Sequence, residues 1–135
     1  MSTKQNKETV RRVIDEIVNE GKLALADEVL ANDYIYHFPT HDINGPEGFK
    51  EFVTTMRTAF PDLYVTIEDI IGEGDIVAVS VTMRGTFKGE LMGMAPTGKQ
   101  LAFQEAVFVR FEDGKEVEAT AYGNMLSFNE QLGIS

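Results

Sequence analysis

One carboxylate stands alone in a row of apolar side chains. From Leu101 to Phe111 every second residue is hydrophobic, through Phe103, Val107 and Val109, except Glu105. Alternation of this kind puts the whole row on one face of a strand. A buried, unpaired carboxylate costs several kcal/mol, so such a group is paired, held neutral or turned toward a cavity. Apolar surroundings raise its proton affinity toward the range that a general acid or base needs. Glu105 is therefore the candidate base if the chain is an enzyme. The alternative is a structural ion pair with Arg84 or Arg110 at an edge or a dimer contact.

A second group of reactive side chains surrounds the aromatic run Tyr34 to Pro39: Asp33, Tyr36, His37 and, just beyond, His41 with Asp42. A histidine near an apolar mouth can position a carbonyl or shuttle a proton, and it can equally be a satisfied structural residue. Asp33 is an alternative base. Thr120, Tyr122 and Asn124 share an alternating row with Glu116 and Glu118, opposite Val117, Ala119, Ala121 and Met125. Alternation alone makes the row with the glutamates the solvated one.

The two histidines, His37 and His41, are four residues apart, but Pro39 between them breaks the single helix face that an HxxxH metal site needs, no HxH or CxxC spacing occurs and the chain has no cysteine, so neither a metal site nor thiolate chemistry is expected. Nucleophile elbow, P-loop and dinucleotide fingerprint are all missing from the text, and no cofactor is expected.

The elements that would position these groups follow from periodicity. Val10, Val13, Ile14, Ile17 and Val18 form one face of an amphipathic helix over Glu8 to Asn19, stopped by Gly21. Leu23 to Leu30 suggest a second, short helix ending near Asn32. Asn44-Gly45-Pro46-Glu47 is a helix start, followed by an apolar stripe through Phe49, Phe52, Val53, Met56 and Phe60 and ended by Pro61. Leu63 to Ile71 and Ile76 to Phe87 alternate as strands around a Glu73-Gly74-Asp75 turn. Leu101 to Phe111 and Lys115 to Met125 flank an Asp113-Gly114 hairpin turn. Helices first and an antiparallel meander after them is an α+β order.

At 135 residues the chain fits one domain, residues 1–135, and its formal net charge of -10 repels phosphate backbones and anionic lipid. Nucleic acid and membrane are not expected as partners. The N-terminus lacks the apolar core of a signal peptide and no run reaches membrane-span length, so a cytoplasmic protein is expected.

Gly93 to Lys99 reads GMAPTGK, Phe108 to Lys115 reads FVRFEDGK and Asn129 to Gly133 reads NEQLG. With the YIYHFP of Tyr34 to Pro39 and the GPEGF…FPD of Gly45 to Asp62, this text resembles the SnoaL-like polyketide cyclase family. That family belongs to the nuclear transport factor 2-like superfamily. The resemblance spans almost the whole chain. It implies a cone-shaped α+β barrel, with three N-terminal helices packed on a curved, mainly antiparallel sheet that encloses a pocket. A homodimer through the outer sheet face, where Phe108 and Arg110 lie, is implied as well.

In the family an Asp takes a proton from an activated carbon of a polyketide ester, and the enolate closes a ring by intramolecular aldol attack. The matching residue here is Asn124, four residues after Thr120 in the family's Trp position. An amide has no protonation change near neutral pH, although it can donate a hydrogen bond to a carbonyl or enolate oxygen. Otherwise Asn124 is a loop-end or strand-end amide satisfying backbone groups.

The resemblance thus implies a pocket for an apolar, carbonyl-containing small molecule. Glu105 or Asp33 would be the base, with His37, Tyr122 and Asn124 holding the oxygen. Tyr36, Phe52, Met56 and Phe87 would line the pocket, together with Met92, Met94, Thr120 and Tyr122. Phe87, in place of a family His, makes it greasier, as do the two loop methionines. A ketosteroid isomerase-like enzyme, a hydrolase and a non-catalytic binding protein for an apolar metabolite remain the alternatives.

Overall fold

A computed structural model describes residues 2–134. The chain folds as four α-helical segments on one mixed sheet of six strands, in the order β2-β1-β6-β5-β4-β3. The strands are β1 (Leu30–Phe38), β2 (His41–Asn44), β3 (Tyr64–Glu73), β4 (Ile76–Thr86), β5 (Gln100–Glu112) and β6 (Lys115–Gly123). The helices are α1 (Thr3–Arg12), α2 (Ala26–Val29), α3 (Gly45–Ala59) and α4 (Met125–Leu132). No helix among the described residues is long and apolar enough to cross a membrane.

The α+β class stands, but three helices do not precede the sheet and the sheet does not close. Its edges, β2 and β3, are unjoined. The expected second helix ends at Val29 and β1 begins at Leu30, because Leu30, Tyr34 and Tyr36 are all buried toward the core. β1 then runs parallel to β6, a pairing between segments far apart in sequence, which local periodicity does not report. α3 matches its expected span and follows β2 directly. The last strand stops at Gly123 rather than Met125, and the NEQLG segment supplies the end of α4, with Gly133 as its C-cap.

α1 continues into a π-helical turn, Val13–Val18, a wide turn that often lies beside functional sites. Its end is fixed from two sides. Asn19 exchanges hydrogen bonds with the Val65 backbone at 2.9 and 2.7 Å. Arg57 of α3 donates to the carbonyls of Val18 and Asn19 at 2.9 and 2.7 Å, satisfying groups that the helix end leaves free. These bonds hold Val10, Val13 and Ile14 against the inner face of the sheet.

Candidate functional site

Between that inner face, α1 and α3 lies a cavity of about 100 Å³. Four of its lining side chains carry a hydroxyl or carboxyl group, Tyr34, Tyr36, Glu105 and Glu116, and the rest are apolar. Each arrives by strand alternation. Tyr34 and Tyr36 come from β1 and Glu105 from β5, where Phe103 and Val107 flank it along the same face. Across the sheet Glu105 is paired with Val81 and Gly123. Neither can offer it a hydrogen bond from its side chain. Gly123 also leaves needed space, since a Cβ there would sit 2.5 Å from the Phe103 ring and 3.3 Å from the Glu105 Cβ.

Glu116 corrects the sequence reading. Alternation along the last strand sends it outward with Glu118, yet it is 2% exposed and lines the cavity. The cause is a β-bulge: Arg110 pairs with Glu118 and the next residue, Phe111, with Glu116, leaving Val117 as the extra residue. Parity reverses there, so Glu116, Ala119 and Ala121 face in while Glu118, Thr120 and Tyr122 face out.

Both glutamates keep a buried Oε2 without a hydrogen-bond partner. Loss of hydration disfavours their charged forms. Burial pushes the Glu105 carboxyl up to about 7 and the Glu116 carboxyl up to about 8. Burial, and then the charges of Glu105 and Glu116, hold the Tyr36 phenol protonated well above the ordinary tyrosine range. Tyr34 is raised likewise by burial, and next by Glu116. Tyr36 therefore stands within electrostatic reach of both acids. At neutral pH the site offers one carboxyl near half-ionised, one mostly protonated and two phenol donors in hydrocarbon surroundings.

Of the residues singled out from the sequence, Glu105, Tyr36, Phe52 and Met56 line this cavity. The ion pair between Glu105 and Arg84 or Arg110 does not form. Arg84 is exposed, and Arg110 instead reaches Glu118 and Glu112 on the outer face at 3.4 Å. His37 also points outward. Its Nδ1 lies 2.8 Å from Asp42 and its Nε2 2.8 Å from Glu118, and these hydrogen bonds, that to Asp42 foremost, raise its proton affinity. Asp33 is exposed.

Phe87 is buried against Phe60, with ring centroids 5.8 Å apart, and takes no part in the lining. Met92 is exposed in the loop before β5, and Met94 packs against the core elsewhere. Thr120 and Tyr122 lie on the outer face, where Tyr122, 60% exposed, meets Phe108 edge to face. Among the described residues no group of three or more His, Asp or Glu is placed to hold a metal ion.

Asn124 caps α4. It is exposed, and its Oδ1 accepts a hydrogen bond from the Ser127 backbone at 3.1 Å. A capping amide of this kind is worth about 1 kcal/mol. Asn124→Ala is accordingly expected to lower stability by about that amount in urea unfolding, and an unchanged unfolding midpoint would mean that the cap contributes nothing.

The family model for SnoaL-like polyketide cyclases matches residues 8–132. The chain is 30% identical over 131 residues to the aklanonic acid methyl ester cyclase of Streptomyces sp. (strain C5), covering 92% of this chain and 79% of the relative. The corresponding cyclase of Streptomyces peucetius is also 30% identical over 131 residues, with 92% and 88% covered. A SnoaL-like protein of Jannaschia sp. CCS1 superposes with a TM-score of 0.89 at 24% identity, spanning 98% of this chain and 94% of the other.

Proposed function

Because the chain belongs to the SnoaL-like polyketide cyclase family, we propose that it closes a ring in an apolar, carbonyl-bearing small molecule without a cofactor, using Glu105 as the base. The supporting observation is a single one: a partly exposed carboxyl on an apolar row lines the cavity with one oxygen free of any partner. As carboxylate, Glu105 takes a proton from the carbon beside a carbonyl. Tyr36 donates to the resulting enolate oxygen. The enolate carbon then attacks a second carbonyl of the same molecule, a C–C bond forms, and the new alkoxide recovers the proton from Glu105. Proton count and oxidation state are unchanged over the cycle, as an isomerising ring closure requires.

Asn124, His37 and Asp33 have no part in this step, since all three lie off the cavity. The role of the family's Asp falls to a residue on the neighbouring strand, because Glu105 and Gly123 are cross-strand partners and Gly123 immediately precedes position 124.

The resting cavity is smaller than the several hundred Å³ that most small-molecule sites enclose. Fused rings fit only if lining side chains move. Phe38 and Phe52 are the pair able to do so, being only half-buried and 5.2 Å apart by ring centroids. The test is deuterium incorporation from heavy water beside the carbonyl of 1-tetralone or 2-tetralone, with and without protein. No acceleration of exchange over buffer for any such ketone would leave the binding-protein alternative in possession of the cavity.

A further inference from the structure

Glu116 is a buried carboxyl that the reaction above does not use. It is 2% exposed, and among the described residues it makes no ion pair and one of its oxygens has no partner. Its cross-strand neighbours, Phe111 on β5 and Leu30 on β1, are both apolar. A carboxyl so placed contributes nothing to the fold that a leucine would not contribute better. The titratable groups that share the cavity with it are the phenols of Tyr34 and Tyr36, on the neighbouring strand β1, and Glu105 on β5.

Position adds the second observation. Phe111, opposite Glu116, is six residues along β5 from Glu105, roughly 20 Å of strand. Glu105 is partly exposed and Glu116 is enclosed. One acid is therefore partly reached by solvent and the other enclosed, at two separate levels of the sheet, with the two tyrosines on β1 at the levels between them.

We infer that Glu116 is a second binding group, donating a hydrogen bond to a ligand oxygen remote from the carbon that Glu105 deprotonates, so that the site selects apolar ring compounds oxygenated at both ends. The inference rests on the cavity reading given above and extends it to a substrate class. Tyr34 and Tyr36 supply further donors along the same line, matching a molecule whose oxygens are spread along its length rather than gathered at one end.

Calorimetric titration of the full chain near pH 6, where both acids are protonated, tests this with 2-naphthol and 2,6-dihydroxynaphthalene. Wild-type protein is expected to bind the diol roughly tenfold more tightly, the worth of one buried hydrogen bond. In Glu116→Leu that preference disappears while 2-naphthol affinity stays within about threefold. Glu116→Gln keeps a donor and retains most of the preference. An equal affinity of wild type for the two compounds, or a preference that survives in Glu116→Leu, overturns the role of Glu116 and leaves the cavity reading standing. Failure of both compounds to bind wild-type protein overturns the two together.

Discussion

Glu105→Gln is expected to lower the rate of proton exchange beside a ketone by about 10²- to 10⁴-fold, the usual contribution of a positioned general base. Glutamine has nearly the same shape and burial but no proton-accepting carboxylate, so the loss is specific to chemistry. Stability should not fall, because the amide removes a charge that the cavity disfavours. The pH profile provides a second reading of the same assignment. The base acts as carboxylate, and burial lifts its titration to about 7, so wild-type activity should climb through neutrality and level off above it. Glu105→Asp retracts the carboxyl by one methylene and is expected to retain a small part of the rate. If Glu105→Gln exchanges protons within about threefold of wild type, the catalytic base lies elsewhere.

The second large effect is on stability, and it belongs to Glu116. In the unfolded chain its carboxyl titrates near 4.5, and in the fold near 8. Between those values the native state holds a proton that the unfolded state has released. Stability therefore falls as pH rises through that window, and the full penalty is present above it. Glu116→Gln is neutral at every pH and escapes the penalty. The variant should match wild type near pH 5 and exceed it near pH 9 by an amount on the order of 4 kcal/mol. Urea unfolding at the two pH values measures the difference. An equal gain at both would mean that Glu116 is not buried in its charged form. Glu105 shifts in the same direction and adds to the alkaline loss in wild type, so Glu116→Gln should flatten the profile only in part.

The two glutamates also show where the sequence was legible. β5 is regular throughout, with Leu101, Phe103, Val109 and Phe111 buried, so counting by twos finds Glu105 as the odd member. β6 is not regular. The bulge at Val117 reverses parity, and counting by twos back from Ala119 and Ala121 sends Glu116 to the wrong face. The signal that would have found it was present in the hairpin. A two-residue Asp113-Gly114 turn pairs Glu112 with Lys115 and therefore Phe111 with Glu116, and cross-strand partners share a face. Phe111 already belonged to the apolar row of Glu105.

α3 was legible because its cap, proline and stripe all agree. β1 was not, because its partner β6 lies about eighty residues downstream by the Tyr36 and Ala119 pairing, and nothing local announces a parallel neighbour. The role expected of Asn124 came from family position alone. The structure places the residue just beyond the strand, where it opens a helix.

The hollow beside Tyr36 makes the native protein bulkier than its parts. Unfolding lets water occupy that dead space, so the unfolded chain with its solvent takes up less volume, and hydrostatic compression favours it. A ligand that fills the hollow removes this weakness. Resistance to several kilobars, read by tyrosine fluorescence, would then report occupancy for a compound whose turnover is too slow to follow.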